Sequence, residues 1–140
     1  DRAPSRSSAS APGVAPAPAA PSYRAGRSQP VADPVYPEFG NPALDVLHYG
    51  LALRWEPSRH RLSGTATLTV RAAREIDQLR LDFARPLQAD KVTVDGKAVT
   101  ATHPGHDLII PAGRRLAKDA HVVVAVTVYR SPGCPAELRR

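Results

Sequence analysis

Residues Asp45 to Ala73, D-V-L-H-Y-G-L-A-L-R-W-E-P-S-R-H-R-L-S-G-T-A-T-L-T-V-R-A-A, constrain the fold more than any other stretch. Tyr49, Leu51, Leu53 and Trp55 fall on every second residue. After the polar turn Glu56-Pro57-Ser58-Arg59-His60 the same period resumes at Leu62, Gly64, Ala66, Leu68, Val70 and Ala72, with Ser63, Thr65, Thr67, Thr69 and Arg71 between them. A period of two predicts a β-hairpin with one buried and one wet face, strands His48 to Trp55 and Leu62 to Ala73. A one-residue slip would turn Leu68 and Val70 to water and put Thr67 and Thr69 in the core, so the pattern sets the register as well.

The pattern repeats downstream. Leu79, Leu81 and Phe83 alternate with Arg80 and Asp82, predicting a third strand. Val92 and Val94 lead into Asp95-Gly96, a dipeptide suited to a two-residue turn with positive φ, and Lys97 to Ala101 returns. Thr102 to Asp107, T-H-P-G-H-D, reads as a turn, Leu108-Ile109-Ile110 as a short strand ended by Pro111, and residues 112–119 as a polar connection. Val122, Val124, Val126 and Val128 form the most apolar strand, and Val123 and Ala125 leave even its second face dry enough to predict a central or covered position. No stretch carries a helical stripe. The fold class is therefore all-β, an antiparallel sandwich or barrel of about seven or eight short strands.

Composition divides the chain. Residues 1–30 hold eight Ala, six Pro and six Ser, with only Val14 and Tyr23 large and apolar. Such a segment buries too little to offset the entropy of ordering it, so residues 1–32 are expected to be a disordered Ala/Pro/Ser-rich leader. Residues 33–133 form the domain and 134–140 a tail. Tyr36 and Phe39, between Pro34, Pro37 and Pro42, suggest an extended arm lying against the domain. The start at Asp1 and the absence of Met fit either a processed form or an excised piece, and the Pro/Ala/Ser-rich composition leads to the expectation of a secreted or cell-surface protein whose export signal has been removed.

The formal net charge of +6 is spread along the chain, with no Lys/Arg run longer than two residues. Nucleic-acid binding requires a basic patch or stripe, which this sequence does not show. No apolar run approaches the ~20 residues of a transmembrane helix. The single cysteine, Cys134, permits no intrachain disulfide and reads as a loop thiol.

Candidate chemistry is sparse. His103-Pro104-Gly105-His106-Asp107 brings two imidazoles and a carboxylate within five residues, but a zinc site normally takes three or four ligands on a rigid frame, and Pro and Gly here read as a polar turn. His48 and His121 read as solvent-facing or structural. The acidic pairs Glu75 with Asp77 and Asp82 with Asp90 have no apolar pocket between them to separate their pKa values. The sequence contains no H-E-x-x-H, no phosphate-cradling glycine loop and no nucleophile elbow. No catalytic, cofactor or metal residue is assigned.

The series of motifs from about residue 33 to 133 resembles the opening of the aminopeptidase-N-type (gluzincin) zinc metallopeptidases, particularly secreted actinobacterial ones. The similar positions are Gly40-Asn41, Asp45-Val46, His48-Tyr49, Leu53, Leu62-Ser63-Gly64, Leu79-Arg80-Leu81-Asp82-Phe83, Val92-Thr93-Val94-Asp95-Gly96, Leu108-Ile109-Ile110-Pro111 and Val126-Thr127-Val128-Tyr129. Gly50 departs from the Asp usual after His-Tyr. The resemblance implies an N-terminal saddle-like β-domain that packs on a catalytic domain and helps wall its peptide cleft. It implies zinc in that catalytic domain, whose ligands, general base and catalytic tyrosine would lie beyond this stretch, and a chain that is inactive alone. The alternative from the residues is a free-standing exported β-sandwich module that binds a protein or glycan.

Overall fold

The computed structural model describes residues 26–130; most of the expected leader, and Cys134, lie outside the described residues. Seven antiparallel strands form two sheets: β1 Leu44–Glu56, β2 Arg61–Ala72, β3 Ile76–Asp82, β4 Leu87–Val94, β5 Lys97–Val99, β6 Asp107–Leu116 and β7 His121–Arg130. The larger sheet has the order β1-β2-β7-β4-β5, and β3 and β6 pair as the smaller one. The fold is an all-β sandwich, as the alternation predicts.

The β1–β2 hairpin turns through a single 3-10 turn, Pro57–Arg59, ended by His60 with φ +46°. Asp95 and Gly96 both take positive φ, +48° and +78°, joining β4 to β5 in the expected tight turn. β7 lies between β2 and β4, so the most apolar strand is central. Its Val122, Val124, Val126 and Val128 share a core with Leu68, Val70 and Ala72 of β2, Val92 and Val94 of β4, and Leu79, Leu108, Ile110 and Leu116 from the smaller sheet.

Two expectations are corrected. The strand beginning at Leu108 does not stop at Pro111: β6 runs on to Leu116, and Ala112 and Leu116 are buried. Pro111 is tolerated because β6 has only one neighbour in its sheet, so a missing backbone donor need not break a ladder. The second correction concerns the outer part of β1, whose apolar residues are not buried: Tyr49, Leu51, Leu53 and Trp55 are 60%, 62%, 55% and 52% exposed. They stand opposite Leu68, Ala66, Gly64 and Leu62, on the same face as the core. Two strands cannot cover five. β6 comes against β4 and β5, and the outer half of β1 is left bare.

Gly64 lets β1 lie this close to β2, since a Cβ there would sit 2.9 Å from the Leu53 Cα and closer still to the Ala52 carbonyl oxygen. Gly64→Ala should cost about 1–3 kcal/mol by forcing these two backbones apart, read as a lower denaturant midpoint; an unchanged midpoint would contradict the close approach. Burial also predicts opposite outcomes for one substitution at two places. Val124→Asp, which puts an unpaired charge in the core, should cost about 4 kcal/mol or more, whereas Leu51→Asp on the bare face should leave the melting temperature nearly unchanged. Equal melting of the two variants would show that the covered and bare regions are misplaced.

Candidate interaction surface

The hairpin pairs regularly from Tyr49 with Leu68 to Glu56 with Arg61, then shifts register between Val46 and His48. Leu47 is the extra residue of this bulge. It carries the apolar set from even positions, Leu44 and Val46, to odd ones, Tyr49 to Trp55, while all face the core side. It also sets Asp45 directly opposite Arg71 on the outer face.

That pair is the only buried charged pair among the described residues, with Asp45 3% and Arg71 1% exposed. Arg71 donates from Nε (3.0 Å) and Nη2 (2.9 Å) to Asp45 Oδ2, from Nη1 to Asp119 Oδ1 (2.7 Å), and from Nη2 to the Ser28 carbonyl (2.6 Å). Ser28 returns two bonds to Asp45, its amide to Oδ2 (3.0 Å) and its hydroxyl to Oδ1 (2.7 Å). Arg27 pairs with Asp119. Ser28 and Arg27, within the stretch read as leader, are thus fastened to the strands. Burial alone would raise the Asp45 carboxyl, but the bonds from Ser28 and Arg71 hold it below the usual range. Hydrogen bonding from Arg71 lowers Asp119 despite some desolvation, and bonding to Asp45 raises Arg71.

The arm that follows is held by polar bonds. Gly40 donates to Asp82 Oδ2 (2.7 Å), Asn41 Nδ2 to the Arg80 carbonyl (3.1 Å), and Arg80 Nη2 to the Gly40 carbonyl (2.6 Å). Tyr36 and Phe39 pack edge-on against each other but remain largely exposed.

The histidine-rich turn joins β5 to β6. His103 Nε2 donates to the Phe83 carbonyl (2.8 Å) and its ring meets the Phe83 ring edge-on. The His106 carbonyl accepts from the Phe83 amide, its side chain is exposed, and Asp107 accepts from Arg80. Glu75 pairs with Arg115 rather than with Asp77. His48 and His121 stand exposed on β1 and β7, and Asp90 is exposed on β4. Among the described residues no three His, Cys, Asp or Glu side chains gather to hold a metal, and no helix is long and apolar enough to cross a membrane.

Two surfaces therefore stand out. One is the bare apolar shelf of Tyr49, Leu51, Leu53 and Trp55, about 20 Å long on an edge strand. The other is the outer face of the larger sheet, where Gly50, Ala52, Thr65, Thr67, Thr69, Ala125, Thr127 and Thr93 form a patch of small residues, with Val123 exposed at one end and Arg54, Lys91 and Tyr129 on the same face.

A two-sheet β-domain of this form is found in the M1 zinc metallopeptidases. The M1 zinc metallopeptidase from Deinococcus radiodurans matches 69% of this chain at 25% identity and a TM-score of 0.63, over 22% of its own length. A mutant of it bound to a Tyr-ser-ala substrate matches 71% at 26% identity and 0.62, over 24% of its length. Native yeast LTA4 hydrolase shares the fold at 22% identity and 0.56, over 67% of this chain and 16% of that one. No protein-family model and no curated protein sequence matches the chain. The chain has the N-terminal β-domain fold of the M1 zinc metallopeptidases and spans under a quarter of their length.

The Asp45–Arg71–Asp119 cluster predicts an acid dependence. Carboxylates with depressed folded pKa values stabilise fully above the unfolded value near ~3.9, and that contribution is lost as pH falls through the folded values. The melting temperature should therefore hold from pH 8 to about 5 and drop below about 4. Asp45→Asn should lower it by roughly 10 °C at pH 7 and make the acid drop shallower. Parallel curves for the two proteins would contradict the assignment.

Proposed function

We infer that this chain is the non-catalytic N-terminal β-domain of a zinc metallo-aminopeptidase, packing on a catalytic domain and forming one side of its peptide cleft. The observation that carries this reading is the match over some 70% of the chain to M1 zinc metallopeptidases at 25–26% identity. Its physical basis in this chain is the outer sheet face. That face is five strands wide, the small residues over its middle allow close approach, and Val123 is exposed at one end of it, so a second domain can seat there with little side-chain ordering. The catalytic domain supplies the zinc and the peptide chemistry. Nothing on this chain is assigned to bind the metal. Export is part of the reading and rests on the Pro/Ala/Ser-rich composition of residues 1–30 alone.

The exposed shelf favours a second reading, a free-standing exported module that binds a protein through its β1 edge. The readings separate at the outer face. In the enzyme reading, Val123→Arg leaves the fold intact but releases the domain from its catalytic partner.

The test is zinc content and hydrolysis of chromogenic aminoacyl amides by the purified 140-residue chain. Neither stoichiometric zinc nor turnover is expected. Zinc-dependent turnover by the pure chain, abolished by replacing His103 and His106, would overturn the reading.

A further inference from the structure

We propose that the chain self-associates through β1, which pairs antiparallel with β1 of a second copy to make one continuous ten-stranded sheet. β1 is the outer strand of its sheet, and from Tyr49 to Trp55 its pairing is regular, without a bulge. Over that span it lacks the devices that keep a sheet edge from pairing: there is no Pro, no Lys and no inward-pointing charge, and the one charge, Arg54, lies on the outer face.

The pattern is self-complementary. A two-fold axis at Ala52 sets Tyr49 of one copy opposite Trp55 of the other, and Leu51 opposite Leu53, twice over. The four half-exposed side chains of each copy then become one apolar stripe of eight. On the outer face Arg54 meets Gly50, which offers no side chain against it, and the two Arg54 residues stand four positions apart, about 13 Å. A two-fold moved by one residue, to Leu51 or Leu53, loses the Tyr–Trp pairing.

Side-by-side pairing buries only the flanks of these side chains and leaves the face of the joined stripe uncovered, so each copy contributes well under the roughly 800 Å² that a standard interface takes from each side. The paired backbone adds to this without reaching a large interface. The dimer is accordingly a weak one, dissociating on dilution through the micromolar range. This inference goes beyond the proposed function and does not rest on it, since it uses the free backbone edge and core-side residues of β1 and touches the outer sheet face only along its margin at Gly50, Ala52 and Arg54.

The experiment uses the 140-residue chain with Cys134→Ser as background. Ala52→Cys places two thiols directly across the two-fold, and diamide as oxidant should link them into a covalent dimer. Leu53→Cys, facing Leu51 of the other copy, sets its thiols on a diagonal too long for a disulfide and should not link. Sedimentation of the unmodified chain should show a monomer–dimer equilibrium that Leu51→Lys shifts to monomer with an unchanged melting temperature. A monomer at about 200 μM, far above a micromolar dissociation constant, overturns the proposal and leaves the shelf to a different occupant. Equal cross-linking at Leu53→Cys, or growth into polymers that Leu51→Lys does not dissolve, overturns it as well. None of these outcomes bears on zinc or hydrolysis, so the metallopeptidase reading stands or falls separately.

Discussion

A five-stranded sheet has one apolar face here and only a two-stranded sheet to cover it, and the rest of the structure follows from that shortfall. The cover sits over β7 and the strands toward β5, where the valines of β7 and β4 meet Leu79, Leu108, Ile110 and Leu116. Burial of these side chains is what holds the sandwich together. Beyond the cover, β1 and the start of β2 extend as a hairpin supported on one side only. Gly64 tightens that hairpin, and its large apolar residues face solvent because the second layer does not reach them. A sheet face so composed and so exposed is a surface built for contact with another body.

At the opposite end of β1 the chain solves a different problem. The first residues of the described segment must be fixed to a sheet whose outer face is polar. They are fixed by Arg71, whose guanidinium bonds two carboxylates and a backbone carbonyl. Its planar fork of donors suits that arrangement, and each buried polar atom of the cluster is satisfied. Such a cluster adds less net stability than an apolar core of the same size, because desolvation offsets much of the Coulomb attraction. It specifies where the arm docks.

Much of the fold was legible because a period of two leaves few alternatives. The hairpin, the Asp95-Gly96 turn and the central place of β7 all follow from alternation and turn chemistry. The missing parts share a cause: each depends on something outside the local pattern. Alternation says which face of β1 is apolar but not whether a second layer reaches it, so Tyr49 to Trp55 read as buried. Pro111 signals a break, and only the one-sided pairing of β6 explains why the strand continues through it. Extending the hairpin register without the Leu47 bulge puts Asp45 opposite Ala72, on the wrong face, and hides the contact with Arg71. The one available signal was the switch of apolar positions from even to odd between Val46 and Tyr49. The histidine turn shows the converse: residues with metal-binding chemistry, close in sequence, are used to fasten a loop to Phe83.

The likeness to M1 zinc metallopeptidases gives these surfaces a context, because the chain matches a region under a quarter of the length of those enzymes. The most direct measurement of that context is the nucleotide sequence that follows the codon for Arg140, translated in all three frames. If the chain is the front of such an enzyme, an H-E-x-x-H, followed by a downstream Glu to complete the zinc ligands, appears within a few hundred codons. A stop codon in every frame with no such motif would contradict the assignment to an enzyme and leave a binding module whose bare β1 edge is its working part.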